Sequence, residues 1–282
     1  MALKLMYITN NPEIAQIAEF AGADSIFVDL EYIGKQERQG GMDTVQSRHT
    51  LEDISAIRAV VKKAELLVRC NPIHEKTEEY LGTEEEIEQI IRRGAQRIML
   101  PYFKTPEEAD RFLRCIDGRV KTCLLVETPE AVERIDEILA LPGIDEIHIG
   151  LNDLSLGYKK TFMFEVLADG TLDRLCSKLA EKGVFYGFGG IASLGRGALP
   201  AEYVIREHYR LGSKMAILSR SFCNANLIRD PGVIRRVFRS GLREIREFEQ
   251  ECELLTQEQF LDNKREVEGI VAKIVSEMKG KK

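Results

Sequence analysis

Two carboxylates pose the first chemical question. Glu127 ends the apolar run 121–127 and Asp153 follows the run 146–150, so the two acids stand 26 residues apart, about one strand-helix-strand unit. With no His or Cys beside them in sequence they would make a hard, oxygen-rich pair. Such a pair suits Mg²⁺ or Mn²⁺ completed by water and substrate oxygens rather than zinc. A second reading stands beside it, in which Glu127 caps the helix that follows and Asp153 caps a turn in "GLNDLS".

Arg69 ends the apolar stretch "LLVRCNP", where a guanidinium is costly to bury unless it faces an anion. Its fork would take a substrate carboxylate in two parallel bonds, or it would pair internally with Glu31 or another acid at a strand end. Asp29 and Glu31 follow the second apolar run and belong to the same candidate cluster. Of the four histidines, His49 in "QSRHTLEDI" is the one placed for acid-base work. His148 alternates with Ile147 and Ile149 and reads as structural, His208 reads as helix surface, and His74 lies in the loop after "RCNPI". The glycine-rich "FGGIASLGRG" (188–197) would cradle a phosphate on its backbone N–H groups or simply turn. Six cysteines are scattered without a CxxC pair and read as buried thiols, with Cys70 the one whose neighbours would make it reactive.

These residues need elements to hold them. Eight short apolar runs (4–8, 25–29, 65–69, 97–101, 121–127, 146–150, 184–188 and 214–219) alternate with amphipathic helical stretches. The segments 105–116 and 128–141 each open with Thr, then Pro, then acids, the residues that satisfy and charge-match a helix N-terminus. No GxGxxG follows the first run, which argues against an open dinucleotide-binding sheet. The pattern predicts an α/β fold, a (β/α)8 TIM barrel over 1–222, with its chemistry at the C-terminal ends of the strands. Residues 223–282 add a closing helix and a C-terminal helical extension. The stripe of Phe260, Leu261, Val267, Ile270, Val271, Ile274 and Val275 in that extension must be covered, and a neighbouring subunit would do it.

Composition narrows the partners. With 40 Lys+Arg against 46 Asp+Glu the chain is mildly acidic, and the arginines at 235, 236 and 239 read as a solvated helix face, so no nucleic-acid partner is expected. No stretch has the length of a membrane span or the pattern of a secretory leader, which sets a cytoplasmic expectation.

The stretch "VETPEAVERIDEILALPGIDEIHIGLNDLS" resembles the metal-binding signature of the HpcH/HpaI aldolase and citrate lyase family, among the phosphoenolpyruvate/pyruvate-binding TIM barrels. "FVDLE" and "VRCNP" fall where that family has its other two motifs, and the likeness runs from about residue 15 to about residue 225. The resemblance implies that Glu127 and Asp153 ligate a divalent metal, Mg²⁺ or Mn²⁺, which chelates a pyruvate-like keto acid. It also implies that Arg69 lies beside the enolate oxygen, that backbone N–H groups around Gly150, Asn152 and Asp153 hold the substrate carboxylate, and that the chain assembles as a homotrimer or homohexamer. The expected activity is a metal-dependent carbon–carbon lyase acting on a 2-keto acid or hydroxy acid aldol. Pyruvate aldolases of the family carry a histidine directly after the acidic pair, where this chain has Tyr32 and then a polar, glycine-rich insertion. That departure keeps open a citryl- or malyl-CoA-type thioester lyase and a non-catalytic keto-acid or sugar-acid binding protein.

Overall fold

The computed structural model describes residues 2–35, 48–225, 227–228 and 230–280; the insertion over 36–47 lies outside them. The strands are β1 (Lys4–Ile8), β2 (Ser25–Asp29), β3 (Glu65–Arg69), β4 (Arg97–Leu100), β5 (Lys121–Val126), β6 (Glu146–Ile149), β7 (Phe185–Phe188), β8 (Gly190–Ile191) and β9 (Met215–Leu218). They form one sheet in the order β7-β6-β5-β4-β3-β2-β1-β9-β8, and the registers of β1 with β2, β2 with β3, β3 with β4, β4 with β5 and β8 with β9 are all parallel. With a helix after nearly every strand this is an α/β fold of the (β/α)8 TIM-barrel class, extended by C-terminal helices.

The chain divides into two compact units, Met6–His148 and Met1–Leu5 with Ile149–Lys282. The boundary between these units falls near residue 149.

The first unit carries α1 (Pro12–Ala21), α2 (Leu51–Val60), α3 (Thr83–Arg92), α4 (Pro106–Ile116), α5 (Pro129–Glu133) and α6 (Ile135–Leu139). Its helix starts follow from side-chain chemistry. Asn11 accepts from Glu13 N and Ile14 N ahead of Pro12, and Thr105 closes a capping box with Glu108 ahead of Pro106. Arg97, wholly buried in β4, lies at the opposite end of the strands from Asp29 and Glu127. Its Nη1 bonds Glu146 and lies 3.4 Å from Glu65, while Nη2 donates to Ser25 Oγ at 2.9 Å, so one guanidinium ties together the N-terminal ends of four strands.

In the second unit the helices are α7 (Leu151–Gly157), α8 (Glu165–Ala168), α9 (Thr171–Lys182), α10 (Ala201–Arg210), α11 (Pro231–Glu253) and α12 (Gln257–Gly280). Here the glycine-rich stretch is a strand feature. Gly189, at φ +50, breaks the strand between β7 and β8, and a Cβ there would lie 2.7 Å from Leu151 Cδ1. At Gly187 a Cβ would meet the Met215 carbonyl oxygen at 2.0 Å. The Gly189 N–H is bonded to Ile149 O and the Gly195 N–H to Glu202 Oε1, so these amides serve the fold rather than a phosphate cradle.

The extension packs within its own unit. α12 lies along α10 and α8, burying Val267 and Val271, and Asn263 Nδ2 donates to Tyr203 O and Glu207 Oε1. For those positions the chain itself supplies the cover expected from a neighbouring subunit. His208 differs from its surface reading in the same way: it is wholly buried, its ring stacked 3.8 Å from Phe188 and its Nδ1 2.7 Å from Ser213 Oγ, because the inner face of α10 turns toward β7.

Candidate functional site

The parallel register of β2 and β3 sets Asp29 directly opposite Arg69, each the last residue of a five-residue strand. Side chains at paired positions project to the same face, so the carboxylate and the guanidinium meet without any loop to bring them together. Arg69 Nε and Nη2 donate to the two Asp29 oxygens at 2.8 Å each, and Nη1 lies 3.2 Å from Glu31 Oε2. The fork foreseen for a substrate carboxylate is thus engaged by Asp29. Five N–H hydrogens belong to a guanidinium, and this network takes three of them.

Lys35, which the sequence did not single out, completes the cluster. It is buried, with Nζ 3.0 Å from Asp29 Oδ2 and 3.3 Å from Glu31 Oε2. Its only sequence signal is its place four residues after Glu31, within reach of an acid that also follows the strand. Burial opposes the Asp29 charge, but Arg69 and Lys35 outweigh it and hold the carboxyl far below the usual range. Burial likewise opposes the charge on Arg69, yet Asp29 and Glu31 keep the guanidinium firmly protonated.

His49 reaches the same cluster from ahead of α2. The Asp29 backbone N–H donates to its Nδ1 at 2.9 Å, which uses that lone pair and leaves the proton of the neutral ring on Nε2. Burial lowers its pKa, favouring that neutral form. The ring therefore braces the end of β2 and can accept a proton at Nδ1 only by giving up that bond.

Glu127 follows β5 and is buried. It does not cap the next helix, since Thr128 does, accepting from Ala131 N at 3.2 Å while donating to Phe103 O at 2.7 Å. Instead Glu127 Oε1 accepts the Tyr102 N–H at 3.0 Å. Tyr102 holds φ +48, a left-handed conformation that costs a non-glycine residue about 1–2 kcal/mol. That strain, just after β4, is what aims the amide at the carboxylate. The Glu127 charge is also felt at Arg69.

Gly150, Asn152 and Asp153 belong to the second unit. Gly150 is the N-cap of α7, Asp153 lies in its first turn and is buried, and Asn152 Nδ2 donates to Asp153 Oδ1 at 3.2 Å.

The donor chemistry around Glu127 fits a hard cation. The negative charges of Asp29 and Glu31 balance those of Arg69 and Lys35, and Glu127 adds a third buried carboxylate. Among the described residues no three His, Cys, Asp or Glu side chains form a complete cage. A cation held here would therefore draw its remaining oxygens from water and substrate, the habit of Mg²⁺. Cys70 takes no part: it is fully buried, its Sγ lies 3.4 Å from Met99 O, and burial pushes its thiol pKa well up.

Comparison with known proteins bears on the family and the fold. The sequence profile of HpcH/HpaI aldolase/citrate lyase matches residues 4–170, more than half of the chain. A hydroxypyruvate/pyruvate aldolase of Sagittula stellata is 31% identical over a segment covering 26% of this chain and 41% of that protein, so the chain spans about two-fifths of this curated relative's length. Among solved structures, an HpcH/HpaI aldolase from Desulfitobacterium hafniense superposes with a TM-score of 0.61 at 18% identity, covering 87% of this chain and 93% of that one. An HpcH/HpaI aldolase/citrate lyase family protein from Burkholderia cenocepacia gives 0.60 at 16% identity, covering 87% and 95%. These two identities are low enough that they speak for the fold alone. From the profile match, the chain belongs to the HpcH/HpaI aldolase/citrate lyase family, whose members are aldolases and lyases.

Proposed function

We propose that this protein is a divalent-metal-dependent carbon–carbon lyase that cleaves or forms a 2-keto acid aldol through a pyruvate-like enolate. The supporting observation is Arg69, a guanidinium only 15% exposed, held by Asp29 and Glu31 and within electrostatic reach of the Glu127 carboxylate. A Mg²⁺ or Mn²⁺ ion bound to Glu127, with Asp153 taken as second ligand from the sequence resemblance alone, would supply Lewis acidity at the keto and carboxylate oxygens.

The chain's own residues divide the remaining work. In the cleavage direction the 4-hydroxyl loses its proton to a base, the C3–C4 bond breaks to release the aldehyde, and its electron pair enters the enolate. Protonation at C3 then yields the keto acid. Arg69 offers the enolate oxygen the N–H hydrogens that Asp29 and Glu31 leave over, in a buried setting where such bonds are strong. Glu31 is the carboxylate proposed to carry the proton, and amides around Gly150, Asn152 and Asp153 are proposed to hold the substrate carboxylate.

The test combines a panel of 4-hydroxy-2-keto acids with metal titration. Release of pyruvate or a homologue should require Mg²⁺ or Mn²⁺ and stop with a chelator. Glu127→Ala and Asp153→Ala should each abolish metal binding in calorimetry while circular dichroism stays native. Metal-independent turnover, or wild-type metal affinity in either variant, would refute the reading.

One observation favours a second substrate class. With Tyr32 after the acidic pair and His49 Nδ1 committed to Asp29, neither position next to β2 offers an imidazole base, as a thioester lyase of the citryl- or malyl-CoA kind would permit. An acyl-CoA panel decides between the two, since activity there and none on free keto acids would replace the first reading.

A further inference from the structure

Asn71 stands two residues beyond Arg69 and is 2% exposed. Its Oδ1 accepts two consecutive amides, Tyr32 N–H at 3.0 Å and Ile33 N–H at 3.1 Å. On the other side its Nδ2 donates 2.8 Å to Glu86 Oε1, a buried carboxylate in the first half of α3 that also accepts the Asn71 N–H at 3.3 Å. Backbone N–H groups can meet only the oxygen end of an amide, and the accepting Glu86 Oε1 only the nitrogen end, so the side chain has one permitted orientation. The two amides lie in the short stretch between Glu31 and Lys35, whose charges face Arg69 and Asp29.

We propose that Asn71, oriented by Glu86, is the positioning residue that sets Glu31 and Lys35 against Arg69, so that α3 helps place the reacting groups through one buried hydrogen bond. Neither residue belongs to the charge cluster itself; each acts through the backbone of 32 and 33. Only the kinetic arm of the test rests on the lyase reading.

The test exchanges donor and acceptor. Asn71→Asp sets one carboxylate against another, whereas Asn71→Asp with Glu86→Gln restores a complementary pair, because the new carboxylate still accepts from Tyr32 and Ile33 and now also from the amide at 86. Asn71→Asp should shift the Arg69 Nε–H resonance and lower kcat by about tenfold or more, a range set by ångström-scale misplacement. Metal affinity should stay unchanged. The double variant should return the resonance to its wild-type position and kcat to within about threefold. An unshifted Arg69 resonance in Asn71→Asp, or a double variant whose losses merely add, overturns the proposal. Should Asn71→Asp not fold, Glu86→Met, which keeps the length of the side chain and removes the acceptor for Asn71 Nδ2, carries the same resonance measurement, and no shift there overturns it equally. A wild-type protein with no lyase turnover would strike the proposed function, while the Arg69 resonance would still decide the role of Asn71.

Discussion

Arg69 bonds both oxygens of Asp29 and faces Glu31, and an ammonium cannot reproduce that geometry. Arg69→Lys should therefore cost about 2 kcal/mol of stability, the worth of a charge-assisted hydrogen bond. It should also lower kcat by about a hundredfold, the loss seen when one oxyanion donor is removed. Metal affinity should hold, and near-normal kinetics would confine Arg69 to a structural role. His49 gives a pH signature. Burial depresses its folded pKa below the unfolded value of about 6.5, so the unfolded chain takes up the proton first as pH falls. Stability should decline as pH drops below that value and level off once the folded ring also protonates. His49→Asn, which keeps a side-chain acceptor and cannot titrate there, should flatten that part of a melting-temperature profile; an unchanged slope would place the proton elsewhere.

At the scale of elements, the loops after β4 and β5 work as a pair. Thr128 caps α5 and bonds Phe103 O, while Tyr102 spends backbone strain to present its amide to Glu127. Tyr102→Gly keeps the amide and removes the left-handed penalty of about 1 kcal/mol, partly offset by the greater unfolded-state freedom of glycine. The melting temperature should stay level or rise slightly and metal affinity should persist. A clear loss of affinity would show that the tyrosine ring, not the amide, is what the site needs.

For the whole molecule, the C-terminal helices fall in one compact unit with α8 and α10. Truncation before Thr256 uncovers what Val267 and Val271 shield, and two valines at about 1.5–3 kcal/mol each predict a loss of about 3–6 kcal/mol. A calorimetric transition at the native temperature after truncation would refute that accounting. Assembly as a trimer or hexamer is a separate proposal, checked by the mass of the full chain in light scattering.

Strand positions were legible because each strand is a short apolar run bounded by polar residues, and helix starts because Thr-Pro-acid chemistry is local. β8 was not legible: its two residues became a strand only through Gly189 and the parallel partner Ile217. Arg69, Glu31 and Glu127 stood out as charges at the ends of apolar runs, a pattern that burial cost makes conspicuous. Their pairing did not, since the register that sets Arg69 opposite Asp29 lies 40 residues apart in sequence. Lys35 and Asn71 escaped notice for the same reason, being ordinary polar loop residues until the fold buries them against named partners. His208 was misjudged in the same way, because periodicity shows that a helix has an apolar face but not which element covers it. Type and spacing along the chain determine which groups are available; parallel register and burial, which join residues distant in sequence, decide which of them meet.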